Sequence, residues 1–498
     1  MLIADHIKRN LRAMLLAGIV AGLVLRFVGL GRQSLWVDEM LTLLNAYIPG
    51  KLDYAGILRN LQGPMISAMM HFWGKISMDE AFLRLPFAIM GSIGVLACHK
   101  LSRFVQAPRE SIHTVFLFSL SPMLIWYSQE IRGYAAVVLL TTLMTYFLLK
   151  WIRHPRRTNL FYYGVCFLGA LLSNLTAIFV AISHFVFMLT SPARRRLLGR
   201  WFVALFAVLL FFSPWTREII LRVQPQKVIV GETGEPLKGG GKISALVLPY
   251  SIYTLSVGYT FGPSIRDIKA DPLGAIRENL PSITIAAFLF CFVFLAGIQD
   301  MIRINPEGAF LMVLLLGVPF LLSIGLAAAN LKVFTPRYIL VSAPAYLIVL
   351  GQGLSRISKS SLWPLMIVLT AVIAFSIYNY YFNDSYAKDD SRSAARQILS
   401  DFKPGDVILA VYSTEALVHY LGQGKEVIHF RPRDIVSTDS IAARCKEVTE
   451  GAKRVWLFLC REELIDPQGN IQSWFENNLN LVAIWKYPGV KLLLYAVR

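Results

Sequence analysis

Residues 12–46 read RAMLLAGIVAGLVLRFVGLGRQSLWVDEMLTLLNA, an apolar run that is followed by two adjacent carboxylates. Asp38 and Glu39 stand among leucines and close to Trp36, a setting typical of a membrane surface, where negative charge is costly. Adjacent like charges repel each other unless a cation joins them. The pair therefore indicates a function, and the apolar run indicates the kind of fold that must supply it.

The composition of the chain is that of a polytopic membrane protein. Of the 498 residues, 55% are apolar and only 16% are charged, with a mean hydropathy of +0.54, whereas soluble globular chains carry about 25% charged residues. The net charge of +18 arises before residue 383, where 34 basic residues face 16 acidic ones; after it there are 15 of each. This distribution is typical of a topogenic signal and not of a nucleic-acid-binding surface.

Eleven apolar stretches are long enough, or nearly so, to cross a bilayer, which takes about 20 residues. They lie at 12–30, 84–102, 112–127, 133–150, 160–173, 175–190, 201–221, 283–299, 309–329, 337–352 and 362–382. Basic clusters precede the first stretch and recur in alternate loops, which predicts a cytoplasmic N-terminus. Residues 1–382 are therefore predicted to be an α-helical multi-pass domain of the cell (inner) membrane.

Two long loops of that domain are predicted to face the extracytoplasmic side. The first, 31–83, carries the acidic pair, and its apolar part at 63–76 predicts a helix lying in the membrane interface. The second, 222–282, is rich in glycine at 231–242, which predicts a mobile segment. The apolar and aromatic residues at 245–259 predict another surface helix.

Residues 383–498 change character and predict a small extracytoplasmic (periplasmic) α/β domain, because β-branched runs alternate with helical patterns. The strands are expected after the Pro-Gly turn at 404–405 and at 454–460, 481–488 and 490–497. A lid or an acceptor-docking role is the functional interpretation of this domain. Whether Cys445 and Cys460 form a disulfide is left open, because sequence does not supply their Cα separation.

Further ionisable residues of the hydrophobic part map to the outward side beside opposite charges, notably Glu130 with Arg132, and Arg84 and Arg337 near the ends of spans. Ionisable groups at membrane depth normally face a cavity and mark function. A carboxylate can take the proton from an attacking hydroxyl, and cations can hold an anionic phosphate as it leaves. This pattern favours a transfer reaction with a phosphate leaving group over simple interfacial ion pairing.

These residues resemble the GT-C glycosyltransferases that use polyprenyl-phosphate sugars, in particular the protein mannosyltransferase and lipid A aminoarabinose transferase group. The Trp-x-Asp-Glu motif at 36–39 follows the first span, as in that family. Further matching motifs are AFLRLPFAIMGSIGV (81–95), SPMLIWYSQEIRGYA (121–135), YTLSVGYTFGPS (253–264) and FTPRYILVSAPAY (334–346). The resemblance covers roughly residues 20–350 and implies a helical fold with a catalytic first outward loop.

The resemblance also implies roles for the matching positions. Asp38 would be the catalytic base and Glu39 its companion. The residues expected at the donor phosphate or substrate are Arg84, Glu130, Arg132, Arg337 and Tyr338.

Two departures from the family pattern leave the exact donor and any metal ligand open. Gln62-Gly63-Pro64 stands where the family often has His or Lys before Pro-Pro, and Ser173-Asn174-Leu175-Thr176 stands where it often has Thr-His-Tyr. A divalent metal ion is the one cofactor that the resemblance leaves open. His184, in the middle of a span, is interpreted as a structural histidine.

The sequence thus predicts an integral membrane glycosyltransferase that inverts the anomeric centre. Its partners would be a polyprenyl-phosphate sugar, a glycolipid, glycan or protein acceptor bearing a hydroxyl or amine, and membrane lipids, but not nucleic acid. The alternative is a transporter or flippase of a lipid-linked or amphipathic substrate, although such proteins commonly show internal repeats and none is evident here. A noncatalytic assembly partner is a third option, which the intact Asp38–Glu39 pair disfavours.

Overall fold

The computed structural model forms two compact units. It describes residues 2–46, 63–222, 229–230, 236–238, 247–329, 331, 334–412, 414–422, 424–430, 438–462, 465–466 and 468–497. The first unit comprises Met1–Leu30, Asn45–Gln224 and Ile243–Tyr386, and the second comprises Gly31–Leu44, Pro225–Lys242 and Ala387–Arg498. The segment 31–44, which carries Asp38 and Glu39, therefore groups with the carboxyl-terminal domain and not with the membrane domain to which the sequence assigned it.

The first unit is helical. Its helices, with α2 beginning in the second unit, are α1 (Leu2–Leu25), α2 (Val37–Ala46), α3 (Pro64–Trp73), α4 (Glu80–Val105), α5 (Pro108–Leu120), α6 (Pro122–Ser128), α7 (Tyr134–Arg153), α8 (Arg157–Ser173), α9 (Ala177–Leu189), α10 (Pro192–Arg195), α11 (Leu198–Arg222), α12 (Val247–Val257), α13 (Ile265–Ala270), α14 (Pro272–Glu278), α15 (Leu280–Ile304), α16 (Pro306–Ala328), a 3₁₀ helix (Pro336–Ser342), α17 (Ala343–Arg356), α18 (Lys359–Phe382) and a short 3₁₀ turn (Asp384–Tyr386).

Within the described residues, seven helical segments are long and apolar enough to cross a membrane. They are Glu80–Val105, Tyr134–Arg153, Leu198–Thr216, Leu280–Ile304, Pro306–Ala328, Pro336–Arg356 and Ser361–Phe382; Ala13–Leu25 and Ala177–Leu189 are shorter apolar helices. These nine coincide with nine of the predicted spans, and the helical membrane fold is confirmed. The number of eleven spans stays a prediction.

The predicted span at 112–127 is broken in two at Ser121. Proline at position 122 fits the first turn of a helix well, whereas inside a helix its ring clashes with the preceding turn and kinks or breaks the helix. Ser121 therefore ends α5 and starts α6, and its hydroxyl oxygen accepts a bond from the backbone N–H of Leu124 at 3.4 Å. The break matters because it turns the chain into the segment that holds Glu130 and Arg132.

The outer helices of the first unit expose apolar side chains that only hydrocarbon would cover. On α11, Val203, Phe206 and Phe211 are each about 70% exposed. By contrast, α17 is buried between α5 and α15. A Cβ atom on Gly353 would lie only 1.9 Å from the carbonyl oxygen of Val293 in α15, so glycine permits this close helix crossing.

The second unit contains a five-stranded sheet with helices beside it. The strands are β3 (Asp406–Tyr412), β4 (Val427–Phe430), β5 (Arg454–Cys460), β6 (Asn480–Tyr487) and β7 (Val490–Ala496), and the helices are α19 (Ser391–Asp401), α20 (Glu415–Leu421), α21 (Thr438–Thr449) and α22 (Asn470–Asn478). The strand order is β4-β3-β5-β7-β6, with β3, β4 and β5 parallel and β6 and β7 antiparallel to their neighbours. The predicted small α/β domain is confirmed.

The sheet separates the two cysteines of this domain. Alternate residues of β5 point to opposite faces, so Leu457 packs with Cys445 in one apolar cluster while Phe458 packs with Cys460 in the other. Both cysteines are buried and free. The disulfide that the sequence left open is therefore not formed.

Two predicted loop helices are present, as α3 (Pro64–Trp73) and α12 (Val247–Val257). Their position in the membrane interface stays a prediction. The glycine-rich segment at 231–242 lies largely outside the described residues. The described parts of that loop are two short antiparallel strands, β1 (Ile229–Val230) and β2 (Pro236–Lys238).

Candidate active site

The acidic motif lies at the start of α2, which begins at Val37. Asp38 and Glu39 occupy its first turn, where unpaired backbone N–H groups and the helix dipole favour negative charge. Thr42 donates a hydrogen bond from its hydroxyl to the backbone carbonyl of Asp38 at 3.1 Å, one turn further on. Successive helical side chains diverge by about 100°. The two adjacent carboxylates therefore point in different directions.

Glu39 is the buried member of the pair. Its side chain is fully buried, and its Oε1 lies 3.8 Å from Nζ of Lys388, whose side chain is 3% exposed. Asp38 by contrast is partly exposed. Burial thus separates two roles, with Glu39 held in an interior ion pair and Asp38 open to a reactant.

Two cationic side chains, those of Lys388 and Arg461, lie close to the ring of Trp36. Nζ of Lys388 lies 5.6 Å and the guanidinium carbon of Arg461 lies 5.0 Å from the ring centroid of Trp36. Arg461 also donates from Nε to Oδ2 of Asp389 at 2.7 Å. Burial lowers the pKa of Arg461, but the charge and hydrogen bond of Asp389, together with smaller contributions from Cys460 and Asp38, outweigh it and the net shift is upward. Arg461 therefore remains a cation beside Asp38.

The carboxyl ends of the parallel strands β3 and β5 lie near Asp38. Tyr412 ends β3 and is paired in register with Cys460, the residue before Arg461. Burial raises the pKa of Tyr412, the charge of Arg461 lowers it, and Asp38 contributes to the net rise. Asp38 thus belongs to a group with Tyr412 and Arg461 at the sheet edge where open α/β sheets bind ligands.

Four of the five residues predicted at the donor phosphate meet in the first unit. Glu130, Arg132, Arg337 and Tyr338 are all electrostatic neighbours of the phenol of Tyr134 at the start of α7. Glu130 is 1% and Arg132 is 7% exposed, and the indole N–H of Trp126 donates to Glu130 Oε2 at 3.1 Å. The arrangement concentrates two guanidinium groups and two phenols, which suits an anionic ligand.

Arg84, the fifth predicted residue, has a structural contact. Its side chain is 1% exposed on α4, and its Nη1 donates to the carbonyl oxygen of Leu30 at 2.6 Å. Leu30 directly precedes the segment 31–44. Arg84 therefore fixes the point from which the acidic motif departs, and its predicted role at the phosphate stays a prediction.

The sequence missed the tyrosines around this arginine cluster. Tyr127 and Tyr259 share a hydrogen bond between their hydroxyls at 3.0 Å, and Tyr127 packs against Tyr134 with ring centroids 4.6 Å apart. Gly258 adopts a φ of +74°, and a Cβ there would lie 2.9 Å from Cβ of Pro122. The sequence could have indicated these tyrosines, because they lie within the family-like motifs at 121–135 and 253–264.

Asp38 and Glu39 are not part of a metal-binding group among the residues that the structure describes. Within the described part of the chain, no three His, Cys, Asp or Glu residues are grouped as a metal site. Arg461 is a charged neighbour of Asp38 and Lys388 is one of Glu39, and the positive charge of each disfavours a metal ion beside it. Whether the protein binds a metal ion stays open, and no chemical step below depends on one.

His184 is buried in the helical unit, as a structural histidine would be. Its two ring nitrogens lie 3.0 Å from Oγ1 of Thr145 and 3.4 Å from the hydroxyl of Tyr163. These contacts occupy both ends of the ring.

Residues 62–217 match the family described as dolichyl-phosphate-mannose-protein mannosyltransferase. Among solved structures, ArnT from Cupriavidus metallidurans bound to undecaprenyl phosphate is similar at 13% identity over 97% of this chain and 98% of that one, with a TM-score of 0.56. No curated protein matches the sequence.

The oligosaccharyltransferase of Archaeoglobus fulgidus is similar as well. Its complex with Zn and sulfate matches at 11% identity over 96% of this chain and 73% of that one, with a TM-score of 0.53. The complex of AglB from the same organism with an inhibitory peptide and a dolichol-phosphate matches at 12% identity over 98% and 74%, with a TM-score of 0.52.

The chain shares the multi-pass helical GT-C fold with these solved structures. Residues 62–217 in addition match the sequence pattern of the mannosyltransferase family named above. The resemblance seen in the motifs is thereby confirmed.

Proposed function

We propose that the protein transfers a sugar from a polyprenyl phosphate to a hydroxyl or amine of an acceptor on the extracytoplasmic face of the cell membrane. The observation that carries this proposal is the partly exposed carboxylate of Asp38, placed beside a buried and charge-paired Glu39. Proteins of similar fold have been solved with undecaprenyl phosphate and with dolichol-phosphate, which supports a donor of that kind.

In this proposal, Asp38 accepts the proton from the acceptor hydroxyl or amine as its oxygen or nitrogen attacks the anomeric carbon of the sugar. A new bond to that carbon forms while the bond from the carbon to the phosphate oxygen breaks. The bonding electrons leave with the phosphate, and the single displacement inverts the anomeric centre.

The phosphate monoester that departs gains negative charge, so it needs fixed positive charge near hydrocarbon. Arg132 and Arg337 would supply that charge, with Tyr134 and Tyr338 as hydroxyl donors. Arg84 would add to it, as the family resemblance implies. Glu39 is given no proton-transfer role, because Lys388 already balances its charge.

The acceptor is proposed to be a glycolipid, a glycan or a protein. A partly exposed base at a sheet edge can reach any of the three, so the acceptor has to be identified by experiment. The purified full-length chain in lipid nanodiscs would be incubated with undecaprenyl-phosphate sugars and a panel of the three acceptor classes. Release of undecaprenyl phosphate together with a glycosylated product is the expected result.

The same experiment separates the proposal from the alternative of a transporter. A transporter or flippase moves its substrate across a vesicle membrane without releasing the lipid phosphate. Movement of intact donor, with no cleavage for any acceptor, would therefore replace the transfer proposal with that alternative.

A further inference from the structure

We propose that the carboxyl-terminal domain completes the catalytic loop, and that Lys388 and Arg461 are positioning residues for Asp38. This inference rests on the proposed function, because it assumes that Asp38 is the base. It assigns the domain a part in catalysis, in place of the lid or docking role that its sequence suggested. The contacts that carry it all lie within the second unit.

The backbone before the acidic motif is bonded to the carboxyl-terminal domain at Ser34 and Leu35. The hydroxyl of Ser34 donates to the carbonyl oxygen of Asp389 at 2.6 Å, and the backbone N–H of Leu35 donates to the hydroxyl of Tyr420 at 2.7 Å. Ser34 is 2% exposed and Leu35 is fully buried. Two consecutive residues are thus held by groups more than 350 positions later in the chain.

The start of the segment is held in the same way. The guanidinium of Arg392 donates to the carbonyl oxygen of Gly31 at 3.1 Å and also to that of Arg32. The side-chain oxygen of Gln33 accepts a bond from the backbone N–H of Lys388 at 3.2 Å. With the bonds of Ser34 and Leu35 included, each residue from 31 to 35 is hydrogen-bonded to the carboxyl-terminal domain.

The side chains around Trp36 complete the attachment. Lys388 and Arg461 both lie against its ring, and Lys388 also lies 3.8 Å from the buried carboxylate of Glu39. Cations over an aromatic face are attracted by the ring quadrupole. Trp36 and Glu39 bracket Asp38 in the chain, so the two cations fix the backbone on both sides of the base.

The backbone of Arg461 supports the same conclusion. It has a φ of 57° at the end of β5, and Tyr412 has a φ of 61° at the end of the adjacent parallel strand β3. A residue other than glycine is held in this conformation only where its surroundings determine it, and such residues concentrate at functional sites. Here the conformation accompanies a guanidinium that reaches both Trp36 and Asp389.

The test uses the full-length protein with Lys388→Met, which keeps the length of the side chain and removes its charge. Lys388→Arg is the conservative variant, and Lys486→Met is the matched control, since Lys486 is exposed on β6 of the same domain. The kcat and KM for transfer are measured, together with hydrogen exchange at the backbone N–H of Leu35. The hydrogen-exchange measurement requires neither the sugar donor nor the sugar acceptor.

Displacing a catalytic group costs about 10²-fold in rate, so Lys388→Met should lower kcat by about that factor with KM little changed. The amide of Leu35 should exchange faster in the same variant. Lys388→Arg should restore most of the activity, and Lys486→Met should match the wild type in both readouts.

A wild-type kcat in Lys388→Met would overturn the inference, and so would a lower kcat with unchanged protection of Leu35, because the effect would not pass through the loop. If Lys388→Met does not fold, Tyr420→Phe removes the hydroxyl that accepts the bond from Leu35 and must itself lower both protection and kcat. Absence of transfer by the wild type would instead refute the proposed function, and the exchange result would still report on the attachment of the loop.

Discussion

Asp38 and Glu39 are neighbours in sequence with different surroundings. Glu39 is fully buried against Lys388, while Asp38 is partly exposed beside Arg461 and Tyr412. The adjacent charges that are hard to explain from the sequence are compensated by two different cations. The pair thus divides into a partly exposed carboxylate, which we propose to be the reactive one, and a buried carboxylate in an ion pair.

The first prediction concerns the base. Asp38→Asn should lower kcat by about 10²–10⁴-fold, because an amide cannot accept the proton of the acceptor. The protein should remain folded, since Asp38 is partly exposed. Steady-state transfer assays check this, with Glu426→Gln, an exposed carboxylate of the same unit, as the control. Near-normal turnover of Asp38→Asn would remove it from the mechanism.

The second prediction concerns the buried ion pair. Removing one member of a buried pair is destabilising by about 3–5 kcal/mol, because the other charge stays in the interior. Glu39→Gln should therefore reduce the free energy of unfolding, and Glu39→Gln combined with Lys388→Met should recover part of the loss. Denaturant unfolding of the three variants gives the coupling energy. Strictly additive losses would show that the two side chains do not stabilise each other.

The third prediction separates Arg337 from Arg84. Arg337→Ala should weaken donor binding by roughly ten- to a hundredfold, the equivalent of a charge-assisted hydrogen bond of about 1.5–3 kcal/mol. Arg84→Ala should weaken donor binding and, in addition, lower the stability of the fold, because Arg84 donates a hydrogen bond to the carbonyl of Leu30. Titration with an undecaprenyl-phosphate sugar and thermal unfolding distinguish the effects, with the exposed Arg277→Ala as the control. Unchanged donor affinity in both variants contradicts the assignment.

At the scale of elements, the strands and most helices could be predicted because their determinants are local. The runs at 454–460 and 490–497 became β5 and β7 almost residue for residue, and the Pro-Gly turn preceded β3. Lys388 and Arg461 could not be predicted as part of the site. Their contacts with Trp36 join positions some 350 to 425 residues apart, and nothing in the local pattern marks such a pairing.

The fourth prediction concerns the attachment of β5 to β3. Burial raises the pKa of Asp406, but bonds from Arg454, the backbone of Lys403 and the indole of Trp456 outweigh it, and the net shift is downward. A carboxyl whose pKa is depressed on folding adds stability above its unfolded pKa of about 3.9 and loses it as the pH falls through the folded value.

The carboxyl-terminal domain should therefore lose stability in acid below about pH 4. Asp406→Asn should be less stable at pH 7 and show a weaker dependence on pH in that range. Thermal unfolding followed by tryptophan fluorescence between pH 3 and pH 7 measures both effects. An unchanged pH profile in Asp406→Asn would assign the acid sensitivity to other carboxylates.

For the whole molecule, the class of fold could be predicted from the sequence, but the grouping of its parts could not. The segment 31–44 is covalently part of the amino-terminal region, yet it belongs to the compact unit formed by residues 387–498. Hydropathy describes how a segment interacts with solvent and lipid, whereas this grouping depends on hydrogen bonds between distant segments. The predicted membrane domain 1–382 therefore included the acidic segment 31–44, which the structure groups with residues 387–498.

The fifth prediction concerns topology. The alternation of basic loops with eleven spans predicts that the N-terminus is cytoplasmic and that residues 383–498 are extracytoplasmic. Single cysteines introduced at positions 155 and 420 should therefore react with impermeant reagents on opposite sides of the membrane. Labelling of both from one side would mean that 63–76 crosses the membrane or that one of the predicted spans does not.

The contacts between residues 31–36 and the carboxyl-terminal domain have a consequence for biosynthesis. More than 400 residues separate Asp38 from Arg461 in the chain, and a ribosome adds about 5–20 residues per second, so roughly 20–85 s pass between the synthesis of the two. During that interval, the helices can insert while the acidic loop still lacks the domain that orders it. Under the proposed function, a nascent or prematurely terminated chain would then be inert, and only finished molecules would consume the donor lipid.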